Sequence, residues 1–335
     1  MNFGKIREYA KFMRLKAMGV STIAVFGALS IKGSLEIWHF LVLFLIGIFF
    51  NILGFVLNDI VDLDLDKRSK ELSERPLVKG TVTKFEAKII SLICYIFIFG
   101  LALFFFRDIL PFSILVLSVA FGSIYDAWGK RFLGSDFVLS GSIAFFCLFG
   151  ALTVSHEIGK FTIIIVSIIF FHVLFFNIIE GGFKDADNDR KSGVKTTAVY
   201  IGVKTGTKMH IPKIFIIFAI VIESVSTFFV FLPFVLIPAV YNFKFWYIQF
   251  IILIIFIFLI FFSIIKMFNI DSFNRRKVRN IITFQEIKRY IITAVLLMSF
   301  AGILWSVALI LIPIFWYLFF AFFVFYEPFK PSRML

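Results

Sequence analysis

The stretch "FLVLFLIGIFFNILGFVL", residues 40 to 57, runs straight into "NDIVDLDLDKRSKELSERPL", residues 58 to 77. The first string has the length and apolarity of a bilayer-crossing helix, which needs about 20 residues. At its end stand Asn58, Asp59, Asp62, Asp64 and Asp66, all within nine residues. Carboxylates crowded at the edge of hydrocarbon need water, a cation or a basic partner to compensate them. Whether the chain is a pump, a scaffold or an enzyme turns on which of these is used.

The rest of the chain resembles the first string. Its 335 residues are 61% hydrophobic and 16% charged, with a mean hydropathy of +1.00. A soluble domain is roughly half apolar and a quarter charged, so the composition predicts an all-α polytopic membrane protein. Backbone polar groups in lipid must be satisfied within the helix, and weak alternation excludes a β-barrel. Apolar runs predict spans near 17–34, 37–58, 86–106, 109–128, 136–155, 161–182, 211–234 and 246–267. A last tract reads as 290–310 and 311–327, divided around Pro313, so the expected count is nine or ten. The first span reads as a retained helix rather than a cleaved signal, and residues 1–335 as a single transmembrane domain.

Charge sets the expected orientation. With the N-terminus inside, the inside segments 1–16, 59–88, 129–135, 183–213 and 266–289 hold 28 of the 34 Lys and Arg. This is the positive-inside pattern, and it accounts for most of the net charge of +13. A nucleic-acid partner would need a basic folded surface, and none is expected. Cys94 and Cys147 read as small apolar fillers, and the four histidines form no cluster.

The acidic stretch has an echo in "FKDADNDRKSGVKTTAVYIG", residues 183 to 202. Asp62 and Asp66 are four apart, as are Asp185 and Asp189, and each pair is displaced by 123 positions from the other. That offset suggests a repeated unit of four spans, spans 1–4 and 5–8. Residues i and i+4 share a helix face, so Asn58, Asp62 and Asp66 form one stripe and Asp185 and Asp189 a second. Like charges so placed repel, and a divalent cation between them reverses the penalty. Oxygen donors with no His or Cys nearby favour Mg2+ or Ca2+ over a transition metal. The blander alternative is pairing with Lys67, Arg68, Lys70, Arg190 and Lys191. Asp59, Asp64 and Asp187 lie off the stripes and read as solvated.

These residues carry a resemblance to a known family. "NDIVDLDLD" (58–66), with Arg75 in "RPL" nine residues on, resembles the first signature of UbiA-superfamily membrane prenyltransferases. "DADNDRKSGVKT" (185–196) resembles the second, "YDAWGKR" (125–131) their Tyr/Lys segment, and "MRLK" (13–16) their N-terminal basic motif. The resemblance implies a bundle of about nine spans around a central cavity capped by cytosolic loops. It implies transfer of a polyprenyl group from an isoprenyl diphosphate to a lipophilic acceptor, with Mg2+. On this footing Asn58, Asp62, Asp66, Asp185 and Asp189 are the expected metal ligands and catalytic set. Arg75, Lys130, Tyr125, Lys195 and Arg14 are the expected diphosphate contacts, Tyr125 also as a ring facing an allylic cation.

The acceptor stays open between an aromatic quinone precursor and an archaeal glycerol ether lipid. The gap from Asp66 to Arg75 resembles the aromatic and haem branches, while Ala17 and Met18 replace the Pro common after "RLK" in aromatic-acid members. The competing class is a transporter, for which Glu223 within a predicted span is the most conspicuous candidate, with His172 and Asn177 inside the sixth span.

Overall fold

The computed structural model describes residues 3–17, 19–67, 72–129, 132–206, 209–270 and 272–325. Described elements are helical throughout, apart from one isolated bridge between Lys204 and His210. The first half comprises α1 (Phe3–Phe12), α2 (Ile23–Lys32), α3 (Ile37–Asp66), α4 (Pro76–Lys79), α5 (Lys84–Phe105), α6 (Ile109–Trp128) and α7 (Ser135–Leu152). The second comprises α8 (Lys160–Phe175), α9 (Gly182–Lys191), α10 (Thr197–Ile201), α11 (Lys213–Leu236), α12 (Trp246–Phe268), α13 (Arg275–Leu296) and α14 (Met298–Phe319). Local chemistry sets several starts. Thr83 and Glu86 form a reciprocal capping box at α5, Asp108 caps α6, and Asn274 caps α13 by accepting the N–H groups of Arg276 and Lys277.

Eight helices among the described residues are long and apolar enough to cross a membrane, and Gly19–Lys32 is a shorter apolar ninth. Outward residues such as Leu304, Ile109 and Val235 are 78–82% exposed, as lipid-facing side chains would be. α13 was expected to be an inside loop up to residue 289 and is instead one continuous helix, Arg275–Leu296. Its first sixteen residues, RRKVRNIITFQEIKRY, are too charged to read as a span. Yet Val278, Ile282, Gln285, Arg289 and Ile292 recur every three or four positions and are all buried, so one helix face is packed inward.

Contacts fix its direction. The Gln249 amide near the start of α12 donates to the carbonyls of Val295 and Leu296 at the end of α13, at 2.8 and 3.1 Å. α13 therefore runs antiparallel to α12. The chain reverses between Leu297 and Gly302, whose φ of 76° suits glycine. α14 then comes back: Tyr290 donates its hydroxyl to the Leu309 carbonyl (2.9 Å), and Trp316 Nε1 donates to the Leu15 carbonyl (2.6 Å). Arg7 reaches the Phe325 carbonyl at 2.7 Å, so the two ends of the described chain meet on one face. The expected division at Pro313 is thus corrected. The helices in this tract are 275–296 and 298–319; only the second of them, extended to 324, is apolar enough to count as a span, and Pro313 lies inside α14 without ending it.

The tightest seam joins α2 to α7. A Cβ on Gly27 would stand 1.9 Å from the Cys147 carbonyl oxygen, and one on Gly150 would stand 1.8 Å from that of Ala24. Without a strong hydrophobic drive between helices in lipid, such small residues allow backbones to approach closely. The contact is reciprocal: Ala24 and Cys147, like Gly27 and Gly150, are 123 positions apart, the offset of the acidic stripes.

Candidate active site

α3 continues past the apolar run to Asp66, so Asn58, Asp62 and Asp66 do share a helix face. Asp185 and Asp189 lie on α9, which continues α8 through a π-helical turn, Phe176–Gly181. All five residues line one cavity of about 250 Å³. It lies on the face that carries the chain ends, since Arg14, just after α1, reaches Asp59 of α3.

Arginines hold several of the carboxylates. Arg75, ahead of α4, bonds Asp66 at 2.5 Å and Asp59 at 3.2 Å. Arg14 bonds Asp59 at 2.7 Å and lies over the Phe55 ring, 4.4 Å from its centroid. Arg275, at the start of α13, pairs with Asp185. Burial pushes the Asp66 carboxyl above the usual carboxylate range; Arg75 opposes this, while Asp62 and Asp59 add to it. Asn58 is hydrogen-bonded to Asp126.

The expected cations divide. Arg75 lines the cavity; Arg14 is not among its lining residues, and Lys195 is exposed and also absent from the wall. Lys130 lies outside the described residues. Arg275, which the sequence reading passed over, lines the cavity opposite the first stripe. Asp59 was read as solvated and is 4% exposed between two arginines. Of the other two off-stripe residues, Asp64 is exposed as read. Asp187 accepts from the Thr205 backbone N–H at 2.9 Å, tying down the loop after α10.

Tyr125 lines the cavity within a polar network. The Asn177 amide donates to the Tyr125 hydroxyl at 2.9 Å and to Asp136 Oδ1 at 2.8 Å; Thr197 donates to Asp136 Oδ2 at 2.8 Å. Asp136 and Thr197 were not anticipated, and Asn177 was singled out only for the transport reading. They come from three segments, and no local spacing links them to Tyr125.

The donor set suits a hard divalent ion: carboxylates and the amides of Asn58, Asn177 and Asn188, with no imidazole or thiolate among the described residues of the cavity wall. Among the described residues no three Asp, Glu, His or Cys side chains gather closely enough to hold an ion alone. Mg2+ takes one or two carboxylates and completes its shell with water and phosphate oxygens, so these donor types are compatible with it.

The transport reading loses its signature residue. Glu223 is 2% exposed and accepts from Arg289 of α13 at 3.1 Å, a buried ion pair in the bundle interior.

Comparison with known proteins agrees with this geometry. The model of the UbiA prenyltransferase family matches residues 19–250. Digeranylgeranylglyceryl phosphate synthase of Sulfolobus acidocaldarius is 27% identical over 205 residues, 60% of this chain and 71% of that one. 4-Hydroxybenzoate octaprenyltransferase of Actinobacillus pleuropneumoniae is 29% identical over 204 residues, 57% of this chain and 66% of that one. Among solved structures, a UbiA homologue from Archaeoglobus fulgidus bound to GPP and Mg2+ superposes with a TM-score of 0.66 at 17% identity, covering 91% of this chain and all of that one. On the family match and the shared fold, this chain belongs to the UbiA prenyltransferase family.

Proposed function

We propose that the cavity ionises an isoprenyl diphosphate and transfers its prenyl group to a lipophilic acceptor. One observation carries the reading: two acidic stripes, 123 positions apart in the chain, line the same small cavity. Asn58, Asp62 and Asp66 would hold Mg2+ from one side and Asp185 and Asp189 from the other. When bound, the ion stabilises negative charge developing on the leaving diphosphate.

The chain's own groups do the rest. Arg75 and Arg275 pair with Asp66 and Asp185 and are placed to bind diphosphate oxygens. As the allylic C–O bond breaks, its electron pair leaves with the diphosphate, and preorganised cations stabilise that charge best. Tyr125, held through its hydroxyl by Asn177, presents a ring to the cavity where a carbocation would form. The acceptor supplies the electron pair for the new bond and loses a proton.

The relatives are named for making digeranylgeranylglyceryl phosphate and for octaprenylating 4-hydroxybenzoate, so both acceptor classes belong in the first screen. The site face is assigned to the cytoplasm, where the basic loops favour it. The reciprocal Gly27 and Gly150 contacts support a repeated four-span unit.

The test is binding of geranyl and geranylgeranyl diphosphate to purified protein, with and without Mg2+, for the parent chain, Asp62→Ala and Asp185→Ala. Binding that needs Mg2+ and is lost in both variants supports the reading. Binding indifferent to Mg2+ and to both substitutions would sink it.

A further inference from the structure

The helix carrying the second acidic stripe is not a plain α-helix. α8 ends at Phe175, Phe176–Gly181 form the π-turn, and α9 resumes at Gly182. A π-turn takes in about one extra residue, which turns the following helix back by roughly 100° relative to an unbroken one. Asn177 and Asp189 are twelve positions apart. In an unbroken α-helix they would point about 120° apart, and the intervening π-turn removes most of that angle. Both line the cavity, Asn177 in the Tyr125 network and Asp189 in the stripe.

Arg289 of α13 grips this turn at two places. Its Nη1 donates to Glu180 Oε1, inside the turn, at 2.7 Å. Its guanidinium stands 4.2 Å from the ring centroid of Phe175, the residue just before the turn. Nη2 is anchored on Glu223 of α11. The Arg289 and Glu180 side chains are 3% and 0% exposed. An isolated buried charge is costly; here the guanidinium is held by Glu180 and Glu223, with Glu286 of its own helix at 3.8 Å, and by the Phe175 ring. Lysine, a point charge without a planar fork, cannot make all three contacts.

We infer that Arg289 is a positioning residue for the second acidic stripe: by holding Glu180 and Phe175 it sets the π-turn, and the π-turn aims Asp185 and Asp189 at the cavity. The inference rests on the metal–diphosphate reading of that cavity. It also assigns a role to the charged α13, which lies beyond the residues matched by the family model.

The test is a double-mutant cycle read as the Mg2+ concentration giving half-maximal geranyl diphosphate binding. Arg289→Lys is expected to raise that concentration about ten-fold, the scale on which residues supporting metal ligands act. Combined with Asp189→Asn, on the second stripe, its effect should be strongly less than additive. Combined with Asp66→Asn, on the first stripe, it should add in full. General loosening of the bundle would add equally with both, and that result overturns the inference, as does a shift under two-fold. If neither aspartate variant changes the Mg2+ requirement, the metal reading itself has failed and the inference falls with it. Glu180→Gln and Phe175→Leu, which each weaken one grip, are read by the same cycle should Arg289→Lys not fold.

Discussion

Gly150→Ala adds one methyl group at the α2–α7 seam, and its effect can be worked out from the packing. The new carbon would stand 1.8 Å from the Ala24 carbonyl oxygen, 2.5 Å from its carbon and 2.7 Å from Cα. Even close C···O contacts sit at about 3.3 Å, so the helices must part by about 1.5 Å. All three atoms are backbone, and no rotamer change relieves the clash. A gap of 0.5–1 Å already forfeits about a quarter to a half of each van der Waals contact, and overpacking of this kind costs about 1–3 kcal/mol. Alanine returns up to about 1 kcal/mol through helix propensity. The net expectation is about 1–2 kcal/mol of destabilisation. Gly100→Ala is the matched control: it is exposed on α5, and an added Cβ meets nothing within 4 Å. Propensity alone acts there, so the control should gain up to about 1 kcal/mol. Thermal unfolding of both variants in one detergent checks the sign, with Gly150→Ala melting lower by several degrees. A second substitution at Gly27 should cost less than the first, because the seam is already open. If Gly150→Ala melts at or above Gly100→Ala, the close approach of α2 and α7 is not what the packing argument holds it to be.

Asp59→Ala leaves Arg14 and Arg75 without their shared carboxylate. Charged hydrogen bonds contribute about 1.5–3 kcal/mol each, and a loss at the lower end of that range should be visible by thermal unfolding; an unchanged melting point would make the pairing incidental. Arg275→Gln should weaken geranyl diphosphate binding at saturating Mg2+ by about ten-fold, equivalent to about 1.4 kcal/mol, and unchanged affinity would move the diphosphate contact elsewhere. Tyr125→Phe keeps the ring and removes the hydroxyl held by Asn177. A neutral hydrogen bond of about 0.5–1.5 kcal/mol predicts a fall in turnover of about ten-fold or less, and a larger fall would give the hydroxyl a direct part in the chemistry.

What was legible in the sequence follows from range. The long apolar runs and the i, i+4 aspartates are local patterns, and helix geometry converts them directly into spans and stripes; α3 ends at Asp66 as that logic requires. Partners set by tertiary structure were not legible. Asp59 lies off its stripe and looks solvated until the segment after α1 brings Arg14 against it. Arg275 is 90 positions from Asp185, and nothing near either residue announces the other. α13 defeated hydropathy because its polar residues alternate with a buried face of Val278, Ile282 and Ile292, and its Arg289 pairs with two carboxylates inside the bundle, an arrangement that averaging over a window cannot register. The reversal near Gly302 was placed at Pro313 for a related reason: proline is the more conspicuous breaker, but here the positive φ of a glycine does the turning.

The Arg289 network also bears on how the protein is made. Glu180 and Glu223 precede Arg289 by 109 and 66 positions, so both reach the membrane during synthesis before their partner exists. A charged side chain within a span costs about 2.5–3.5 kcal/mol on insertion scales. Helices α8 to α11 therefore wait in an unfavourable state that only the arrival of α13 relieves. Arg289, costly to bury alone, gains both carboxylates as counterions when α13 packs against them. A chain ending before residue 275 would contain everything the family model matches and still lack the arginine that pairs with both Glu180 and Glu223.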